Sequence, residues 1–226
     1  MKALPNILTG ARLVLTLLVL VFLVAAAGGV PGAAPDEAAK AALRFWAFVG
    51  FVVAAVTDFF DGWLARRWNA TSMLGAILDP IADKVLVAAA IVGLLATGDT
   101  EVALPGGLIL FREFSVSALR ETLAPKGLRL PVTVLAKWKT TVQLIALAAL
   151  LFIHACGGIA LIAPGFYALG FPCYFRPPMW SIALLWLAAA ITVWTGIEYA
   201  LAARKALNPP PSIPPPFRER EASPTP

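Results

Sequence analysis

Between residues 58 and 83 the chain gathers four aspartates, Asp58, Asp61, Asp79 and Asp83, together with the adjacent Arg66 and Arg67, in the middle of a chain that is otherwise strongly apolar. Carboxylates held so close repel one another and take up protons unless a cation stands among them. Hard oxygen donors of this kind suit Mg²⁺ or Mn²⁺, and magnesium keeps part of its shell for water or phosphate oxygens. The planar fork of Arg66 is the group a diphosphate prefers. The pattern points to metal-assisted chemistry on a phosphate ester.

Helical spacing makes the pattern stricter. At about 100° per residue, Asp58, Asp61, Gly62, Ala65 and Arg66 share one face of a helix, and Gly75, Asp79 and Asp83 form one stripe on the next, with Lys84 directed away. The short connection "RWNATS" makes the two helices antiparallel neighbours whose stripes face each other, with Thr71 or Ser72 as the second helix's N-cap. Gly62, Ala65 and Gly75 leave room on those stripes for a ligand or for close helix approach. Pro80 frees the carbonyl of Ala76 in the second helix.

The elements that carry these residues are membrane helices. The chain is 60% hydrophobic and 14% charged over 226 residues, far from the usual soluble mixture of roughly 45–50% apolar and about 25% charged. A crossing takes about 20 helical residues, and apolar runs of that order lie near 8–27, 43–65, 73–97, 104–122, 136–154 and 179–202. The expected fold is all-α and integral to the membrane, with six transmembrane helices, the first of them retained. With both termini cytoplasmic, Arg12, Arg66, Arg67, Arg120, Lys126, Arg129, Lys137, Lys139, Arg204 and Lys205 fall on the inner side, as the positive-inside rule asks. The net charge of +5 then follows from topology and anionic headgroups, not from nucleic acid. The carboxylates would lie about 10–15 Å below the cytoplasmic surface, by the helical rise, where each costs about 2.5–3.5 kcal/mol on insertion scales.

Residues 1–207 read as one six-helix catalytic domain and 208–226, "NPPPSIPPPFREREASPTP", as an extended, disordered cytoplasmic tail. Residues 28–42 read as an external loop. Cys156 and Cys173 lie in or beside the external segment before the last span and pair only in an oxidising compartment. The lone histidine, His154, sits at a helix end and reads as structural. No Ser/His or Cys/His pair offers a covalent route.

The spacing D58-x2-D61-G62-x2-A65-R66-x8-G75-x3-D79-x3-D83 matches, without a departure, the signature of the CDP-alcohol phosphatidyltransferases, and the chain resembles that family. "LPNILTGARL" at 4–13, "FREFSVSALRE" at 111–121 and "KWKTTVQ" at 137–143 are similar to its glycerol-3-phosphate-using branch; the stretch 154–176 and the tail are not covered. The resemblance implies a six-helix enzyme of the bacterial inner membrane, a homodimer with its active site facing the cytoplasm. It implies transfer of a phosphatidyl group from CDP-diacylglycerol to sn-glycerol 3-phosphate with release of CMP. By the same resemblance Asp58, Asp61 and Asp79 hold two divalent ions, Asp83 completes the metal site and serves as general base, and Gly62 and Arg66 contact the CDP moiety.

The residues agree with that chemistry. An alcohol needs a carboxylate within reach to accept its proton as it attacks, and cations on a diphosphate stabilise the departing CMP oxygen. Direct in-line displacement follows. Ala65 and Gly75 leave space for the nucleotide, and Asn6, Thr9 and Arg12 line its side. The acceptor's own phosphate calls for a second cationic pocket, assigned to Arg112, Arg120, Lys137 and Lys139. Arg112, two turns inside its span, must face the bundle interior, either as phosphate ligand or as counter-charge to the aspartates; Lys137 and Lys139 have headgroup anchoring as their alternative. Rival readings are phosphatidylinositol-phosphate synthase and cardiolipin synthase within the family, and a six-helix cation transporter outside it.

Overall fold

The computed structural model describes residues 4–32, 34–68, 73–124, 134–162 and 177–207; within these segments the side chains of 4–7, 59–68, 73–77, 79, 134–137, 157–162 and 206 lie outside the description. The described residues form six helices and one 3-10 turn. These are α1 (Leu4–Ala26), α2 (Glu37–Trp68), α3 (Met73–Ala96), the turn Thr100–Val102, α4 (Ala103–Leu123), α5 (Val134–Ile162) and α6 (Met179–Leu207). Each apolar run of the sequence falls on one helix. Five stretches, Leu8–Ala26, Glu37–Asp58, Thr100–Leu123, Trp138–Cys156 and Met179–Lys205, are long and apolar enough to cross a membrane.

The expected loop 28–42 is shorter than its hydropathy suggests. Asp36 accepts a hydrogen bond from the backbone N–H of Ala39 at 2.7 Å, and Lys40 pairs with Glu37 at 2.8 Å. This N-cap satisfies one of the donors left open at a helix start, so α2 begins at Glu37, ahead of its apolar run. Two other helices share one way of stopping. The N–H of Gly29 bonds to the carbonyl of Val24 and that of Gly28 to Ala25; Asp99 and Gly98 repeat the pattern on Leu94 and Leu95. Gly28 and Gly98 take φ values of 79° and 100°, the left-handed turn that closes a helix end.

Packing departs from the expected pairing of the two aspartate-bearing helices. Among the described residues α1 packs along both α2 and α3, which touch each other little; α2 also packs on α5, and α6 on α4 and α5. The core takes residues from all six helices, among them Leu23, Phe51, Leu94, Ile109, Leu150 and Leu185. Lipid is as apolar as leucine, so close fit and not exclusion of water holds such helices together. The glycines show that fit: a β-carbon at Gly93 would overlap Leu23 of α1, and one at Gly106 would stand 2.7 Å from Cγ2 of Ile91.

The distribution of polarity is that of a membrane protein. Leu17, Phe111, Trp138, Trp186, Trp194 and Leu201 face outward, whereas Arg12, Thr16, Arg112, Lys139, Gln143 and Thr195 are buried. Exposed apolar surface on this scale needs a covering, and buried charge needs partners.

Candidate active site

The partner of the first buried charge is the aspartate cluster. On α1, Thr9, Arg12 and Thr16 are all buried, a polar seam at helical spacing within an apolar helix. Thr16 donates to the carbonyl of Arg12 at 2.8 Å. One guanidinium nitrogen of Arg12, a residue only 1% exposed, pairs with Asp58 of α2 and, at 3.3 Å, with Asp83 of α3. Among the described residues, Asp58 of one stripe and Asp83 of the other therefore meet through Arg12 of α1. The reason is electrostatic: adjacent carboxylates repel, and a cation inserted between them converts repulsion into two attractions. Arg12, expected on the nucleotide side, is a counter-charge to these two aspartates, the alternative role given above to Arg112.

Asp61 lies three residues beyond Asp58 on α2, and Asp79 four before Asp83 on α3, so each is about one turn from a described carboxylate. The side chains of Asp61, Gly62, Ala65, Arg66, Gly75 and Asp79, and those of Asn6 on α1 and Lys137 on α5, lie outside the described residues, as do Thr71, Ser72, Cys173 and the tail 208–226. The described part of the cluster, two carboxylates, supplies part of the donor set a divalent cation needs. Asp58 and Asp83 bring hard oxygen donors from two helices to a single point, and their side chains remain 38% and 51% exposed, which leaves oxygen faces open to a metal and its phosphate or water ligands.

Beside Asp83 opens a cavity of about 550 Å³ between α3, α4 and α5. It gathers three of the four residues assigned to the acceptor phosphate, Arg112, Arg120 and Lys139, on the same wall system as Asp83. It also takes in Lys84, which the sequence reading directed away from the site. Helical angles place Lys84 one step round from Asp83, but α4 covers that side of α3. Lys84 donates to Ser117, which in turn donates to Glu121 at 3.5 Å.

The remaining cations are fixed by groups that sequence reasoning had passed over. Glu113 accepts from Lys139 Nζ at 2.5 Å and from Arg112 Nη1 at 3.4 Å. Arg112 Nη2 donates to Thr195 at 3.0 Å. Its stem lies on α6 where Gly196 leaves room, since a β-carbon there would stand 2.8 Å from Cγ of Arg112. Arg120 donates to the hydroxyl of Tyr199 at 2.7 Å, and the Tyr199 ring stands 4.8 Å from the Arg120 guanidinium carbon and 5.6 Å from that of Arg112. One buried aromatic ring thus steadies two like charges. Glu113 carried a readable signal, a carboxylate well inside an apolar span; Tyr199 carried none without the fold.

Among the described residues, cations outnumber carboxylates around the cavity. Lys84, Arg112, Arg120 and Lys139 stand against Asp83, Glu113 and Glu121, and Asp83 is already paired with Arg12. A surplus of positive charge with forked donors suits a phosphate dianion. At the far end of α3, about 20 Å from Asp83 by helical rise, His154 pairs with Asp99 at 2.5 Å, too distant to share in chemistry at the carboxylates. Cys156 is buried on α5.

Comparison with known proteins follows the same residues. A family model described as CDP-alcohol phosphatidyltransferase matches residues 2–194. The chain is 43% identical over 186 residues to the CDP-diacylglycerol-glycerol-3-phosphate 3-phosphatidyltransferase of Cereibacter sphaeroides, covering 72% of this chain and 82% of that protein. It is 43% identical over 172 residues to the protein of the same name from Escherichia coli strain K12, covering 72% and 81%. With its aspartate signature intact and most of its length matched, the chain belongs to the CDP-alcohol phosphatidyltransferase family.

Proposed function

We propose that the protein transfers a phosphatidyl group from CDP-diacylglycerol to sn-glycerol 3-phosphate, giving phosphatidylglycerophosphate and CMP. The names of relatives at 43% identity support the two substrates. The observation that carries the assignment is the common cavity of Asp83 with Arg112, Arg120 and Lys139. An acceptor whose phosphate sits on these cations presents its free hydroxyl to the carboxylate.

The chain's own residues then act in order. Arg112, Arg120, Lys139 and Lys137 bind the acceptor phosphate, with Glu113 and Tyr199 holding three of those cations in place. Asn6, Thr9, Gly62, Ala65, Arg66 and Gly75 accommodate the CDP moiety. Asp83 takes the proton of the attacking hydroxyl; the new O–P bond forms at the phosphatidyl phosphorus as the bond to CMP breaks, and the electron pair leaves with CMP. The family's chemistry uses a divalent metal; Asp58, Asp61, Asp79 and Asp83 would hold two ions, Mg²⁺ or Mn²⁺, which when bound neutralise the diphosphate and the departing CMP oxygen.

The same reading gives six spans, α3 included, with both termini cytoplasmic, residues 208–226 as a cytoplasmic tail, a homodimer, and a place in the bacterial inner membrane. Its support is the one-sided distribution of Lys and Arg and the bacterial relatives. The deciding experiment offers purified protein CDP-diacylglycerol with glycerol 3-phosphate, inositol phosphate, serine or phosphatidylglycerol in turn. CMP should appear with glycerol 3-phosphate; faster release with either inositol phosphate or phosphatidylglycerol would overturn the acceptor assignment.

A further inference from the structure

Gln143 is buried at 2% exposure, lines the cavity beside Asp83, and its Oε1 has no hydrogen-bond partner among the described residues. A buried polar atom left without a partner is destabilising, and an apolar side chain of equal size would pack in its place at no such cost. The position is one helical turn beyond Lys139 on α5, on the same face. It therefore lies deeper in the bundle than the lysine.

The cavity's charged groups already have work. The cations match a phosphate, and Asp83 matches the hydroxyl that attacks. Glycerol 3-phosphate carries one further group, the secondary hydroxyl between them, and a neutral amide is the partner such a group needs. A hydroxyl both donates and accepts, so it satisfies either end of the amide.

We infer that Gln143 is a specificity-determining residue that binds the secondary hydroxyl of the acceptor, selecting polyol phosphates over simple alkanol phosphates. The inference rests on the cavity being the acceptor site. It makes the enzyme a reader of the hydroxyl next to the reacting carbon, and a site that hydrogen-bonds a hydroxyl discriminates strongly against an analogue lacking it.

The test compares sn-glycerol 3-phosphate with 3-hydroxypropyl phosphate, which keeps the phosphate and the terminal hydroxyl but lacks the secondary one. The readout is the ratio of their kcat/KM values for CMP release, which does not depend on how much of a preparation is folded. Wild type should favour glycerol 3-phosphate by about 5- to 150-fold, the effect of leaving one buried hydrogen-bonding group unpaired. In Gln143→Met the ratio should collapse towards one, chiefly through loss of activity on glycerol 3-phosphate.

Wild-type protein that uses both acceptors equally overturns the inference with no variant needed. A Gln143→Met ratio equal to that of wild type also overturns it, and marks the glutamine as structural. Turnover with glycerol 3-phosphate but no selectivity sinks this inference alone; absence of that turnover sinks the acceptor assignment with it.

Discussion

Two buried arginines divide the polar interior between them. Arg12 on α1 is 1% exposed and Arg112 on α4 is 6% exposed, yet their surroundings are opposite in sign. Arg12 meets two carboxylates from two other helices. Arg112 meets one carboxylate shared with Lys139, a threonine, and a tyrosine ring shared with Arg120. Among the described residues positive charge falls short in the first region, with one arginine against two aspartates, and is in surplus in the second. A buried cation already matched by the protein organises the fold, whereas clustered cations outnumbering their carboxylates prepare for an anion from outside.

The hardest test of this division removes the metal. On the carboxylate side chelation should abolish turnover, because Arg12 alone cannot neutralise both the aspartates and a diphosphate. EDTA should reduce CMP release to background and added Mg²⁺ or Mn²⁺ should restore it. Full turnover in chelator would leave the aspartates with only the chain's own cations and end the metal assignment.

Next in size is the base. Asp83 borders both regions, pairing with Arg12 and lining the cavity. Asp83→Asn keeps the shape but accepts no proton, so turnover should fall by at least about 10²-fold, the lower end for general acid–base catalysis. Near wild-type turnover would take Asp83 out of that role.

Exchanging the arginines sharpens the contrast itself. Arg112→Gln should raise the KM for glycerol 3-phosphate by about 10- to 150-fold, from the roughly 1.5–3 kcal/mol of a charge-assisted hydrogen bond, with little change for CDP-diacylglycerol. Arg112→Lys should recover only part, since a point charge replaces a fork. Arg12→Gln leaves two half-exposed carboxylates facing each other without the cation between them, which is destabilising. That variant should lose thermal stability in detergent, read as a lower Tm at unchanged KM for glycerol 3-phosphate. If the two glutamine variants moved the same quantity, the division would be false.

How far the sequence alone reaches differs between the regions. The carboxylate side was readable because its information is local: spacing over two helices puts the aspartates on stripes whatever else surrounds them. What it hid was α1 lying between those helices, since helical angles say which residues share a face and not which neighbour covers it. The same blindness misdirected Lys84. The cavity was half readable. Charges inside apolar spans announce Arg112, and Glu113 beside it sends the same signal, but Thr195 and Tyr199, which also hold the arginines, come from α6, more than 70 residues along the chain. The Asp36 cap that starts α2 was missed for another reason: hydropathy locates the membrane crossing, while hydrogen bonding sets where the helix begins.

The smallest effect belongs to Tyr199, and it tests whether the cation surplus is held in place by the protein. Its ring faces two guanidiniums and its hydroxyl accepts from Arg120. Tyr199→Phe keeps the ring and removes an acceptor that touches the cation and not the phosphate, so the KM for glycerol 3-phosphate should rise by only about 2- to 12-fold, roughly 0.5–1.5 kcal/mol. Tyr199→Leu removes the ring as well and frees both arginines to move apart, so its rise should be the larger. The KM for CDP-diacylglycerol should stay put in both, because Tyr199 contacts neither Arg12 nor its aspartates. Equal effects of Phe and Leu would mean that the ring does nothing for the arginines, and that Glu113 and Thr195 alone set the position of Arg112.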